Sequence, residues 1–306
     1  MGTFIARMNA AARSGHGDGL GARSLKALDA VGGAAELDTV TAPLKRAVQG
    51  LPLGPLRGVL HGRPLGHPLH PALVQLPVGA WISATVLDFV PGSERAARLL
   101  VAVGVVTAAP AALTGWVDWA EQPNRQMRTG LLHAVSMAAA AGLFGASWAA
   151  RSRGRQRLGR ALGLAGLTTA GSGAAVGGHL AYRQAAGANK AEPVPLLVEP
   201  GWHTLGRVEE FTEGQPVRRA VGEVPVVVVR VSADVFHVLA DRCSHASGPL
   251  SEGDVADGCV TCPWHGSVFR LSDGWNVGGP ATAPLSRFIT RTDRDGNLQA
   301  RLPDAG

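Results

Sequence analysis

Two short motifs late in the chain place cysteine and histidine close together. The first is Cys243-x-His245, and the second, after sixteen intervening residues, is Cys262-x-x-His265. The chain has three cysteines and ten histidines in 306 residues, so composition alone does not explain this concentration. Thiolate and imidazole groups are common ligands of transition metals. The spacing therefore predicts one metal site with two ligands from each of two loops.

The pairing of unlike residues bears on which metal is bound. Structural zinc sites usually pair like residues, as in C-x-x-C followed by H-x(3 to 5)-H, although a zinc site of two cysteines and two histidines is an alternative. Mixed cysteine and histidine pairs on two loops match a [2Fe-2S] cluster in which two histidines replace two cysteines on one iron.

The surrounding sequence resembles the Rieske iron-sulfur family over roughly residues 196–303. The resemblance is carried by "CSH", by "CPWHGSVF" and by "GGPATAPL" at 278–285, which looks like the proline-containing loop that covers the cluster in that family. It implies that Cys243 and Cys262 hold the buried iron and that His245 and His265 hold the outer iron. It also implies a reduction potential higher than that of all-cysteine clusters, because neutral imidazoles replace charged thiolates.

The third cysteine, Cys259, lies outside both motifs. Rieske proteins of cytochrome bc complexes carry a further cysteine pair that bridges the two loops, and this chain has Trp264 at one of those places. The chain therefore resembles the simpler ferredoxin type that accompanies ring-hydroxylating oxygenases. We expect Cys259 to pack as a small apolar residue.

Short β-type runs separated by turn signals predict an all-β antiparallel sandwich for the C-terminal domain. The runs lie at 224–232, 234–240, 258–263, 267–271, 287–292 and 298–302.

The preceding part of the chain has a different composition, dominated by Ala, Val, Leu and Gly. Four apolar segments lie at about 71–90, 99–117, 130–150 and 161–182. Each is close to the roughly 20 residues that cross a hydrocarbon core, and their small residues suit close helix packing in lipid. We predict an N-terminal all-α four-helix transmembrane bundle in contact with membrane lipid, with buried helices of a soluble bundle as the alternative. The distribution of basic residues leaves the orientation open.

These patterns predict a multi-domain protein. We expect a flexible Ala/Gly-rich tail over 1–60 with an amphipathic helix, and the transmembrane domain over 61–185. A linker over 186–197 and the Rieske domain over 198–304 follow.

Three histidines border the predicted spans, namely His70, His133 and His179. Ionisable residues in a membrane are costly and mark functional sites, so we predict a haem b or quinol site here, with hydrogen bonding between helices as the alternative. This portion also resembles an uncharacterised bacterial family of four-helix membrane domains over about residues 50–185. The resemblance is carried by "HGRPLGHPLHPALVQLPVGAW", "GWVDW", "GLLHA" and "GGHLAY".

The net charge of +6 arises in part from the run "RSRGRQRLGR" at 151–160, which is typical of a loop at a lipid surface and not of nucleic-acid binding. We expect a multi-pass membrane protein that passes single electrons between an unidentified redox partner and the membrane domain. The alternatives are a ferredoxin-like component that serves a separate oxygenase, and a redox or iron sensor. A complete Rieske oxygenase is not expected, because no spare 2-His-1-carboxylate cluster is present.

Overall fold

The structure, a computed structural model, describes residues 20–303. The chain divides into two compact units. The first comprises the residues up to 47 together with 81–102 and 123–186, and it is helical. The second comprises 48–80, 103–122 and the residues from 187 onward, and it contains the β-sheets. The predicted combination of an N-terminal helical region and a C-terminal β-domain is confirmed.

The helices begin early in the chain, inside the predicted tail. They are α1 (Leu20–Gly33), α2 (Asp38–Gln49), α3 (Leu56–Leu60), α4 (His70–Leu73), α5 (Gln75–Leu87), α6 (Glu94–Trp119), α7 (Asn124–Ser152), α8 (Gln156–Gly178) and α9 (Val194–Leu197). A π-helical turn, His179–Arg183, continues α8. Residues 1–19 of the predicted tail lie outside the described residues, and α9 lies within the predicted linker.

Length and composition limit which helices can cross a bilayer. Of the described helices, α6 and α7 are long and apolar enough to do so. Helix α5 has 13 residues, and at 1.5 Å per residue it spans about 20 Å, short of a hydrocarbon core of about 30 Å. Two of the four predicted spans therefore meet the requirement, and the four-helix transmembrane bundle is not confirmed.

Small residues bring α7 and α8 together in the first unit. A methyl group added at Gly166 would lie 3.0 Å from the Phe144 ring, and one at Gly173 would lie 2.8 Å from the sulfur of Met137. Only glycine allows the two backbones to approach this closely. Phe144 in turn stacks on Trp81 with ring centroids 4.3 Å apart.

A buried ion pair joins α7 to the end of α5 in the same unit. Arg151, 1% exposed, donates from both terminal nitrogens to the two carboxylate oxygens of Asp88 at 2.6 Å. The arginine also donates from Nε to Ser147. A bidentate pair of this kind satisfies both charges where water is excluded.

The second unit contains ten β-strands within the described residues. They are β1 (His203–Arg207), β2 (Pro216–Val221), β3 (Val224–Ser232), β4 (Val235–Ala240), β5 (Asp254–Ala256), β6 (Cys259–Thr261), β7 (Val268–Arg270), β8 (Asn276–Gly278), β9 (Arg287–Thr292) and β10 (Asn297–Arg301).

The strands form two antiparallel sheets. The order is β1-β10-β9-β4-β3-β2 in the larger sheet and β5-β6-β7-β8 in the smaller one. Strand β3 is buried on both faces: Val226 and Val228 join one apolar cluster, whereas Val227 and Val229 join the other. Alternate residues of a strand point to opposite faces, which explains why its sequence is a continuous apolar run. The second cluster includes residues of both sheets and contains Cys243 and Cys262.

Candidate metal centre

Each of the two motifs forms a loop closed by the same pair of backbone hydrogen bonds. In the first loop, Ser247 N–H donates to Cys243 O at 2.8 Å, and Cys243 N–H donates to Gly248 O at 2.9 Å. Ser247 has φ 65°, in the left-handed region that L-residues rarely adopt.

The second loop repeats this arrangement at equivalent positions. Gly266 N–H donates to Cys262 O at 3.1 Å, and Cys262 N–H donates to Ser267 O at 2.8 Å. Gly266 has φ 68°. In both loops, therefore, a left-handed residue four positions after the cysteine reverses the chain, so the cysteine and the histidine project from one tight turn.

The two loops bring the two cysteines together. Cys243 and Cys262 are 1% and 2% exposed and lie in the apolar cluster between the sheets. Their thiols are hydrogen-bonded to each other; this bond and burial raise the pKa of Cys243, and the same bond lowers the pKa of Cys262. Both thiols lie where water is excluded, and a metal would bind them as thiolates.

The two histidines also meet, at a more exposed position. The rings of His245 and His265 lie with centroids 5.0 Å apart at an interplanar angle of 87°. Burial lowers the pKa of His245 to about 3, helped by the neighbouring His265, so its ring is neutral at physiological pH. A neutral imidazole is the form that binds metals.

The structure favours a metal at these residues for a further reason. Nδ1 of His245 is buried and has no hydrogen-bond partner among the described residues. A buried polar atom without a partner is costly, and a metal ion would supply one. Within residues 20–303 no three His, Cys, Asp or Glu side chains form a group suited to a single ion. A two-iron cluster requires two separate pairs instead, which is the arrangement present.

Gly248 lies where the first loop crosses the second. A methyl group added there would lie 2.8 Å from Sγ of Cys262 and 3.1 Å from the ring of Trp264. The Cys262 thiol cannot move freely because it is buried, whereas the Trp264 indole is half-exposed. The sequence motifs do not single out this glycine, because nothing in one chain distinguishes it from the other 40 glycines.

We expect Gly248→Ala to reduce cluster content severalfold although all four predicted ligands remain. The added methyl group must displace Cys262 Sγ, and metal sites tolerate displacements of only about 0.2 Å in ligand distance. Iron per protein and visible absorption of the purified protein measure the effect. Ser247→Gly is the matched control, because glycine adopts the left-handed conformation without cost. Equal cluster content in both variants would contradict the close approach.

A third loop, residues 279–283, is attached to both motifs. Ser244 Oγ donates to Ala283 O at 2.6 Å, and Ser267 Oγ accepts from Ala281 N–H at 3.2 Å. A methyl group at Gly279 would lie 2.5 Å from Gly266 O. This loop lies within residues 278–285, the segment predicted to cover the cluster. The contact between Gly279 and Gly266 holds it against the second motif.

The third cysteine has a different environment. Cys259 lies on β6 opposite Arg270 and is partly exposed. It is outside the apolar cluster that contains the other two cysteines.

The three histidines that border the predicted spans lie in different units. His70 is in the second unit, where its Nδ1 donates to Ala111 O at 2.7 Å, whereas His133 and His179 are in the first. Nδ1 of His133 donates to Gly173 O at 2.8 Å. A carbonyl can only accept, so both of these rings carry their proton on Nδ1. His179 is buried, 3.7 Å from a carboxylate oxygen of Asp29.

A cavity of about 240 Å³ borders the imidazole of His265. It lies wholly within the second unit, and part of its lining comes from the segment before the first predicted span, including Arg57, His61 and Arg63. His61 is 3% exposed, and its Nδ1 lies 2.8 Å from Oδ1 of Asp118. Our reading of the sequence did not predict this cavity, because nothing in the spacing relates residues 57 and 265.

Comparison with known proteins gives two family matches in different parts of the chain. Residues 201–289 match the Rieske [2Fe-2S] domain, and residues 66–190 match a family described as predicted membrane protein (DUF2231). The first match contains both motifs.

The curated relatives match the C-terminal part. The anthranilate 1,2-dioxygenase ferredoxin subunit of Burkholderia cepacia is 42% identical over 33% of this chain and 92% of its own length. The 3-phenylpropionate/cinnamic acid dioxygenase ferredoxin subunit of Shigella flexneri is 33% identical over 32% of this chain and 91% of its own length. The oxygenase component of 3-ketosteroid-9-alpha-monooxygenase from Mycolicibacterium smegmatis is 34% identical over 31% of this chain, but the match spans 22% of that protein.

Proposed function

Because the chain belongs to the Rieske [2Fe-2S] family and joins that domain to a DUF2231 domain, we propose that it is a membrane-anchored electron-transfer protein. The Rieske domain supports a [2Fe-2S] cluster and an electron-transfer role. The DUF2231 match and the two long apolar helices suggest a membrane location.

We assign the cluster ligands to Cys243, Cys262, His245 and His265. Each sequence motif contains one cysteine and one histidine, but the fold brings the two cysteines together and the two histidines together. This pairing is the observation that carries the assignment. The two thiols meet in the apolar layer, and the two imidazoles meet at its edge. When bound, such a cluster accepts and donates one electron at a time. The apolar residues around the thiols exclude water from the sulfur side, and the imidazoles form the side that a partner can approach.

Electron exchange with the membrane domain is supported by what lies beside His265. The cavity there is lined by the chain's own residues from positions 54–63, as well as by Glu121 at the end of α6. Arg63 Nη1 also donates to Val277 O at 2.7 Å, which attaches this segment to β8. One approach to the cluster therefore faces residues contiguous with the predicted spans.

A haem or quinol bound by His70, by His133 or by His179 is the finer part of this proposal. His70 and His133 donate from Nδ1 to carbonyl oxygens, an arrangement common for histidines that bind metals through the other nitrogen. The same bonds also serve as helix-to-helix contacts in lipid. Soret absorption of protein expressed with ample haem tests whether haem is bound. Without that absorption, the proposal would retain only electron exchange on the side of His265 that borders the cavity.

A second candidate function is a ferredoxin-like component that serves a separate oxygenase. Two observations favour it. The relatives that the chain covers almost completely are ferredoxin subunits of dioxygenases. In addition, Trp264, next to His265, is 55% exposed, and exposed aromatic residues are typical of protein interfaces.

The test is electron spin resonance of the detergent-purified protein after mild reduction. We expect a signal of mixed cysteine and histidine ligation, lost in His265→Ala and retained in His203→Ala, a histidine outside both motifs. We also expect the protein to remain with membranes after an alkaline wash. Bound zinc without iron would refute the cluster, whereas release by the wash would refute the anchor and favour the second candidate.

A further inference from the structure

Four helix ends meet in the first unit, and two ion pairs join them. Asp88, directly after α5, pairs with Arg151 in the last turn of α7. Glu94, the first residue of α6, lies 3.5 Å from Arg160 near the start of α8. The segment that follows α5 and the segment that follows α7 therefore lie side by side at one end of this unit.

This end carries positive charge that the protein itself does not neutralise. Both carboxylates, Asp88 and Glu94, are already engaged in the two ion pairs. Four further arginines are exposed here, and within residues 20–303 none of them has a carboxylate partner. These residues, which we call the arginine patch, are Arg95, Arg153, Arg155 and Arg157.

The other end of α7 and α8 has the opposite arrangement. Arg128, near the start of α7, donates to both carboxylate oxygens of Asp38. Asp29 accepts from Arg125 and from Arg183, which lies in the turn that continues α8. Acidic residues of α1 and α2 thus neutralise the arginines at that end. The free arginine charge of α7, α8 and their connection is therefore concentrated at the end that carries the arginine patch.

Exposed apolar side chains border the arginine patch. Phe89 is 77% exposed, Leu158 is 47% exposed, and Trp148, in the last two turns of α7, is 46% exposed. At a bilayer surface, acyl chains cover apolar groups of this kind, and tryptophan lies at the level of the headgroups. A nucleic acid would contact the guanidinium groups but leave these apolar side chains in water. The combination favours a lipid surface.

We propose that the arginine patch binds the phosphate groups of anionic phospholipids, with the neighbouring apolar side chains among the acyl chains. This inference rests on the proposed membrane anchor and adds which lipids surround this end of the helices. Guanidinium groups form charge-assisted hydrogen bonds to phosphate oxygens. An anionic lipid surface attracts each nearby arginine strongly enough to increase binding about fivefold.

The experiment reconstitutes the full-length protein into vesicles of equal parts phosphatidylglycerol and phosphatidylcholine, with one or the other lipid brominated on its acyl chains. Bromine quenches nearby tryptophan fluorescence, and the difference between the unaltered protein and Trp148→Phe isolates the indole next to the arginine patch. We expect phosphatidylglycerol to associate at least about fivefold more strongly than phosphatidylcholine. High salt should reduce this preference, because it screens exposed charges.

Two triple variants test whether the positive charge is responsible. The combined variant Arg153→Gln, Arg155→Gln and Arg157→Gln should reduce the preference for phosphatidylglycerol to less than about twofold. Lysine at the same three positions is the matched control, and it should keep the preference within about twofold of the unaltered value, because it keeps the charge. All three positions are exposed, so neither variant disturbs the packing of the helices. An undiminished preference in the glutamine variant, or its loss in the lysine variant, would overturn the proposal.

The remaining outcomes separate this proposal from the membrane anchor. Equal quenching by the two brominated lipids would overturn the headgroup preference but leave the protein in the bilayer. Quenching by neither lipid, together with release by the alkaline wash, would refute the anchor and this proposal with it. Binding of a fluorescent DNA duplex to the detergent-purified protein at physiological salt, lost in the glutamine variant, would overturn the lipid assignment in favour of nucleic acid.

Discussion

Cys262→Ser is expected to leave the purified protein without a [2Fe-2S] cluster. Cys262 and Cys243 are the two thiols in the apolar layer between the sheets, and they are in hydrogen-bonding contact. Thiolate is a far better ligand for iron–sulfur iron than a serine hydroxyl, which remains protonated at neutral pH. We expect at least a tenfold loss of iron per protein and loss of the spin-resonance signal. Iron analysis and electron spin resonance measure both.

Cys259, three residues before Cys262, provides the matched control. Cys259→Ser makes the same chemical change on the adjacent strand, at a partly exposed position opposite Arg270. It should retain the cluster at the level of the unaltered protein. Loss of the cluster in Cys259→Ser, or its retention in Cys262→Ser, would mean that the ligand set is assigned incorrectly.

The two cysteine–histidine motifs could be recognised from the sequence because each is a local pattern, whereas the assignment of their four side chains as cluster ligands stays a prediction. Each motif is a single turn, closed by backbone bonds within six residues, and the side chains that project from it follow from its spacing. Each turn presents a thiol at one end and an imidazole at the other. When two such turns face each other, thiol meets thiol and imidazole meets imidazole.

The cavity beside His265 could not be predicted, because it depends on contacts between distant parts of the chain. Arg57, Glu121 and His265 are brought to one place by the packing of the second unit. The apolar pattern placed residues 61–185 in one domain, whereas the contacts place 48–80 and 103–122 with the β-domain. Hydrophobic periodicity identifies an element but not the surface against which it packs.

The predicted first span shows what apolar composition alone does not predict about a helix. Residues 71–90 contain one charge, and the boundary between α4 and α5 falls at Val74, where the backbone stays helical (φ −63°, ψ −19°) and the N–H still donates to His70 O. Two prolines, Pro71 and Pro77, fall in this stretch, and each removes a backbone donor from the helical pattern. An uncharged stretch of the right length therefore does not by itself predict an unbroken set of helical hydrogen bonds.

The second large effect is expected at the buried ion pair of the first unit. Arg151→Met would leave the Asp88 carboxylate, 7% exposed, without its bidentate partner. Arg160 lies 3.7 Å from Asp88 but is 40% exposed and cannot replace two short bonds. Removing one member of a buried pair leaves an uncompensated charge and costs about 3–5 kcal/mol. We expect a loss of that size in the free energy of unfolding, measured by denaturing-detergent titration and circular dichroism.

Two further variants separate the unpaired charge from lost packing. Arg153→Met, at an exposed position two residues later, should change the free energy of unfolding by less than about 0.5 kcal/mol. The double variant Asp88→Leu with Arg151→Met should recover most of the loss, because hydrophobic replacement of a whole buried pair is often neutral. If the double variant were as unstable as Arg151→Met alone, the stability would come from the contacts of the arginine with Ser147 and α8 instead of from its pairing with Asp88.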